Sequence, residues 1–118
     1  MKLSESFVRS EFKCNCGLCD YDTVDAELID VLQSLRDYIG TPITITSGNR
    51  CPEYNASIGG ARASYHIRGR AADIQVQGAS PAVIQGYLDN AYPDKFGIGS
   101  YSSFTHIDTR TKKARWNG

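Results

Sequence analysis

Nothing in this sequence approaches the roughly 18 consecutive apolar residues that a membrane-crossing helix requires, and residues 1–10 lack the apolar run of a secretion signal. The expectation is a chain made in the cytoplasm without a signal peptide and not inserted into a membrane. Charge of either sign is not in excess either: lysine plus arginine and aspartate plus glutamate number 13 each. That balance leaves no field to draw in nucleic acid or an anionic membrane surface. Repeats, low-complexity tracts and proline-rich linkers are missing as well, so the glycines and prolines mark joints between elements rather than domain boundaries. A chain of 118 residues buries one core, and one domain spanning residues 1–118, acting as a monomer, is expected. Histidine is scarce, with only His66 and His106.

Cysteine, by contrast, is plentiful for this length. Cys14, Cys16 and Cys19 crowd together, and Cys51 lies far along the chain. Two readings fit. A disulfide from Cys51 to one of the three would staple the N-terminal segment to the loop after Arg50, stabilising by about 2–4 kcal/mol. Alternatively, thiolates of all four hold a second, structural zinc, for which the two-residue gap between Cys16 and Cys19 is favourable.

Hydrophobic spacing predicts the elements. After Asp22 and Thr23, either of which can cap, Val24, Leu28, Val31, Leu32, Leu35 and Ile39 recur at helical intervals until Gly40 and Pro42 end the run. Residues 43–46 alternate as a β-branched strand, followed by a loop of Ser47, Gly48, Asn49 and Arg50. A short helix from Pro52 to about Ile58 precedes a turn at Gly59 and Gly60. Residues 70–76 then show period two, with Ala71, Asp73 and Gln75 opposite Ala72, Ile74 and Val76. Ser80 and Pro81 open a helix reaching about Asn90, and strands are expected at residues 97–101 and 104–110, joined by Ser102 and Ser103. The sum is a mixed α+β domain.

Within the last strand His106 and Asp108 share a face, because side chains two apart on a strand point the same way. Two neutral imidazoles and one carboxylate satisfy three positions of a zinc tetrahedron and leave the fourth for water. Taken singly these residues decide little. Asp108 also fits a surface ion pair with Arg110 or Lys112, and Arg50 also fits a loop closure made by bonding carbonyls.

Order and spacing are more specific. Ser47, Gly48 and Arg50 come first, then Ser64 and His66 with Gly69, Ala71 and Asp73, then His106 and Asp108. This ordered set resembles the zinc D-alanyl-D-alanine carboxypeptidase family, which includes vancomycin-resistance D,D-dipeptidases, phage endolysins cutting L-alanyl-D-glutamate bonds and the related hedgehog domain. The likeness spans about residues 12–110. It implies a hedgehog/D,D-peptidase-like α+β fold with a mainly antiparallel sheet and a packed N-terminal amphipathic helix.

Carried over by position, the resemblance implies that His66, Asp73 and His106 ligate a catalytic zinc and that Arg50 binds the substrate carbonyl or developing oxyanion. Ser64 either orients substrate or bonds local backbone. Better-known members carry an acidic residue three positions before the final histidine, where this chain has Ser103. Asp108 is the substitute general base, or else it orients a histidine through the nitrogen turned away from the metal. A cysteine nucleophile would need a histidine, and both are claimed by the metal.

The implied activity is hydrolysis of a peptide bond in peptidoglycan stem peptides, as a D,D-carboxypeptidase or endopeptidase or an L-alanyl-D-glutamate endolysin. The implied place of action is the bacterial cell wall, as for phage-encoded lysis enzymes. The alternative is a zinc-containing binding or structural module of the same fold without turnover. A cysteine-zinc module gripping nucleic acid is disfavoured by the neutral charge.

Overall fold

The computed structural model describes residues 2–16, 24–60 and 64–118. Cys19 and the capping pair Asp22 and Thr23 fall outside these residues. In chain order there is a 3-10 turn, Arg9–Phe12, then α1 (Ala26–Ile39), β1 (Ile43–Ser47), α2 (Pro52–Ser57), β2 (Ala71–Val76), α3 (Pro81–Ala91), β3 (Gly97–Ser100), β4 (Thr105–Asp108) and β5 (Ala114–Asn117).

The helix ends follow local chemistry. The Asp25 side chain accepts the Leu28 N–H at the start of α1, while Gly40 closes it in the left-handed region at φ 76°. A capping oxygen of this kind contributes about 0.5–2 kcal/mol. Asp25 also fastens the helix start to the site strands. Its N–H donates to the Gly69 carbonyl at 2.9 Å, and its carboxylate accepts from the Thr109 hydroxyl at 3.2 Å. Ser80 caps α3 by accepting the Val83 N–H, as its place before Pro81 predicts.

The five strands form one sheet in the order β1-β2-β4-β3-β5. Every pairing is antiparallel except β3 with β5, which run parallel. The core lies between one face of this sheet and the helices: Leu28, Leu32 and Leu35 of α1 and Ile84 and Leu88 of α3 bury against Ala72, Ile74, Ile98 and Ile107. Phe7 and Phe12 seal one side of that layer, their ring centroids 6.1 Å apart.

β2 alternates as its sequence predicts, with Ala72, Ile74 and Val76 in the core. The opposite face is also covered, however, because Ala71 and Asp73 are buried and only Gln75 is exposed. β5 has no counterpart in the sequence reading. It forms because β3 offers it an open edge, and Arg115 ties it down through Asp89 at 2.6 Å and the carbonyls of Phe96 and Tyr92, each at 2.7 Å.

A bulge in β1 sets the course of the following loop. Ile45 pairs with Ile74, yet Ser47 pairs with Asp73, so Thr46 is the extra residue. Strict alternation would put Ser47 on the core face with Ile43 and Ile45. The inserted residue turns it to the opposite face instead, and the loop carrying Arg50 follows.

Candidate metal and active site

Strand register assembles the site as a row running across the sheet. Ser47 lies beside Asp73, Asp73 beside His106, His106 beside Gly99, and Gly99 beside Trp116. Neighbours in such a row have Cβ atoms about 4.5–5.5 Å apart, within reach of one another's side chains. One step along, Asp108 stands between two small residues, Ala71 and Gly97. His66 joins from the loop before β2.

Three of these groups meet. His66, Asp73 and His106 each offer one ligand atom, and the three atoms lie within 4.8 Å of one another. Asp73 Oδ1 is 3.3 Å from His66 Nε2 and 3.0 Å from His106 Nδ1. Burial works against ionisation of Asp73, yet hydrogen bonds from His106 and His66 and their charges hold its carboxyl well below the usual carboxylate range. It therefore presents a carboxylate at any working pH.

The far nitrogens of both rings are anchored. His66 Nδ1 donates to the Gly48 carbonyl at 2.6 Å, which turns Nε2 toward Asp73. His106 Nε2 donates to Asp108 Oδ2 at 2.7 Å and turns Nδ1 toward the same point. An imidazole whose outer N–H is held by a carbonyl or carboxylate is oriented, and made more basic, for a metal at its inner nitrogen. The donor set of two imidazoles and one carboxylate therefore fits zinc.

Asp108 is wholly buried and accepts from several donors. Besides His106 it takes Arg110 Nε on Oδ1 and Arg110 Nη2 on Oδ2, both at 2.7 Å, and the Arg110 backbone N–H at 3.2 Å. Burial opposes its charge, but the bonds from His106 and Arg110 outweigh that and lower its pKa far below the usual range. The bond to Asp108 in turn raises that of Arg110, against the opposing effect of burial. The Arg110 guanidinium also lies over the Tyr65 ring at 4.7 Å and the Trp116 ring at 5.2 Å.

Arg50 reaches the site from the opposite side. Its Nη2 is 3.2 Å from Asp73 Oδ2, Nη1 donates to Asn55 Oδ1 at 3.2 Å, and Nε donates to Ser47 at 3.3 Å. Ser64 accepts the His66 N–H at 3.1 Å and also lines the cavity, so its own hydroxyl proton can point to a ligand. Ser103, at the position of the missing acid, is exposed and is not among the described residues lining that cavity.

The cavity above these groups measures about 450 Å³. Tyr65, Tyr101, Phe104 and Trp116 supply aromatic walls, Tyr101 stacks on Phe104 at 4.4 Å, and the Trp116 indole N–H donates to the Tyr101 hydroxyl at 2.9 Å. The sequence reading did not single out Trp116, Arg110 as a holder of Asp108, or Asn55. Trp116 and Asn55 are placed by the unexpected β5 and by the fold of α2. The spacing of Arg110 from Asp108 was the one signal in the sequence, and it pointed to an ordinary ion pair.

The family model described as peptidase M15 matches residues 5–108. The peptidoglycan L,D-endopeptidase MepK of Escherichia coli strain K12 is 31% identical over 94 residues, covering 74% of this chain and 52% of the relative. MepK of Shigella flexneri matches to the same extent. This chain thus spans about half the length of the curated relatives it matches. The matched residues include every strand of the site row except β5, and the chain belongs to the peptidase M15 family.

Proposed function

We propose that this chain is a zinc-dependent peptidase that hydrolyses a peptide bond in the stem peptides of bacterial peptidoglycan. The observation that carries the proposal is the meeting of His66, Asp73 and His106 with both outer ring nitrogens already anchored. The M15 membership and the similarity to MepK support the substrate class and an action at the cell wall.

In this reading His66 Nε2, His106 Nδ1 and Asp73 hold the zinc. Bound there, zinc would supply a Lewis acid and a water whose pKa falls to about 7. Arg50 sits beside Asp73 with its guanidinium fork held by Ser47 and Asn55, aimed so that it can bind the scissile carbonyl oxygen and the negative charge that develops on it. Preorganisation is the benefit: the fork is fixed before substrate arrives. The aromatic walls exclude water and grip the peptide, and the Ser64 hydroxyl donates to substrate backbone. Of the two roles the sequence leaves open for Asp108, its surroundings support orientation of His106. Its oxygens already accept from His106 and Arg110, and no part of it is exposed.

The test is digestion of purified peptidoglycan followed by mass spectrometry of the muropeptides. The expected result is new amino groups and a single class of product mass, both abolished in His66→Ala and Asp73→Ala. A folded, zinc-loaded wild type that releases nothing would instead favour the binding module.

A further inference from the structure

We infer that Cys14, Cys16 and Cys51 form a second metal site, a thiolate site for zinc that is separate from the histidine site. Each cysteine offers one sulfur, and the three sulfurs lie within 4.8 Å of one another. Cys14 Sγ and Cys51 Sγ are 3.7 Å apart. A disulfide bond would need about 2.05 Å. Two thiolates on one tetrahedral zinc, each at about 2.3 Å, are separated by about 3.8 Å. The observed spacing matches the edge of the tetrahedron.

The surroundings suit thiolates. The Cys51 backbone N–H points at Cys14 Sγ from 3.3 Å, the kind of amide donor that a metal-bound sulfur accepts from. Cys14 is buried while Cys16 and Cys51 are partly exposed, so a metal can enter from the solvent side. Soft sulfur ligands select zinc over the hard cations.

The place of the site explains what it would do. Cys14 and Cys16 follow the 3-10 turn, and Cys51 directly follows Arg50. The same two segments are already laced together: the Asn49 N–H donates to the Phe12 carbonyl at 2.8 Å, and Asn15 donates to the Thr46 carbonyl at 2.9 Å. Gly48 is in such close contact that an added Cβ would come within 2.7 Å of the Phe12 Cα. Gly48 carries the carbonyl that holds His66, so a metal clamp at the cysteines would fix the loop that presents both Arg50 and the His66 anchor.

The test is zinc content by mass spectrometry together with cobalt substitution. Wild type should hold about two zinc ions per chain. Cys51→Ser should hold about one, and His66→Ala should hold about one. Serine is a sound choice at position 51 because that residue caps α2, where serine is favoured. Cobalt-loaded wild type and His66→Ala should both show thiolate-to-cobalt charge-transfer absorption, and Cys14→Ser and Cys51→Ser should lose it. The inference is overturned if wild type lacks that absorption, if Cys51→Ser keeps the wild-type zinc content, or if peptide mapping finds Cys14 joined to Cys51 by a disulfide. Should only His66→Ala leave the zinc content unchanged, the histidine site fails while the cysteine site stands.

Discussion

His106 and Asp108 are joined by a 2.7 Å bond between Nε2 and Oδ2, made along one strand between residues two apart, and it fixes which nitrogen His106 turns toward Asp73. Replacing this carboxylate by an amide removes its charge and one of its two acceptor oxygens, both of which are in use, and should loosen the ring. Asp108→Asn is therefore expected to weaken zinc binding about 10–100-fold, with most of the turnover returning when zinc is saturating. Zinc titration alongside muropeptide release decides it. Unchanged affinity with turnover lost at every zinc concentration would make Asp108 the proton carrier instead.

Arg50 touches Asp73 and also lines the cavity. Arg50→Lys keeps the charge and loses the fixed geometry, since lysine cannot be held at once by Ser47 and Asn55. Turnover should fall by about 10²–10³-fold, the effect of losing one oxyanion donor, while bound zinc stays at the wild-type amount. Loss of zinc in this variant would recast Arg50 as a structural partner of Asp73.

Much of this architecture was legible from periodicity, and the exceptions have physical reasons. The α1 stripe, the alternation of β2 and the shared face of His106 and Asp108 are local consequences of 3.6- and 2-residue periods, and all three are present. The Thr46 bulge was not legible, because residues 43–47 alternate cleanly as ITITS and the extra residue emerges only from pairing with β2. β5 carries Ala114, Arg115, Trp116 and Asn117, which have no strand pattern of their own. Its conformation is imposed by the edge of β3, and with it came Trp116. The clustering of His66, Asp73 and His106 was expected from a resemblance of motifs; strand register sets Asp73 beside His106, and the loop before β2 brings in His66. The α1 cap was placed at Asp22 or Thr23, whereas Asp25 makes the bond, a shift of the kind helix ends commonly show.

Trp116 closes one side of the cavity, with its ring 5.2 Å from that of His106. Trp116→Ala removes apolar contact area worth about 1.5–3 kcal/mol when fully used by a ligand. That contact is made in the ground state and transition state alike, so KM should rise about tenfold or more with kcat little changed. Steady-state kinetics on a soluble muropeptide would show it. A fall in kcat at constant KM would mean that the indole acts on His106 instead.

Acid should compete with zinc. In the metal-free chain burial opposes the charge on His106, but bonds to Asp108 and Asp73 outweigh it and raise the pKa above the ordinary 6.5. A raised folded-state value means that the protonated ring's contribution to stability is complete below about 6.5 and fades as pH rises through the folded-state value. Zinc requires the neutral ring at Nδ1, so its binding must expel a proton. Zinc affinity should climb as pH rises from about 6.5, accompanied by proton release, while the metal-free chain loses some thermal stability over the same rise. Calorimetry in buffers of different ionisation heat measures both. Affinity flat across that range would remove His106 from the ligand set.

Gly97 faces Asp108 across the β3–β4 pair, and an added Cβ there would lie 2.5 and 2.6 Å from the two carboxylate oxygens and 2.5 Å from Arg110 Nε. These neighbours cannot all give way, because the carboxylate is buried and clamped between His106 and Arg110. Gly97→Ala is thus an overpacking change costing about 1–3 kcal/mol. Displacing the carboxylate would also release the His106 ring, so zinc affinity should fall by an amount comparable to that of Asp108→Asn. Combining the two substitutions separates this from a general loss of stability. If Gly97→Ala acts through Asp108, the double variant binds zinc about as well as Asp108→Asn alone, since residues sharing one contact are not additive. Additive losses in zinc affinity would place the effect of Gly97 elsewhere in the strand.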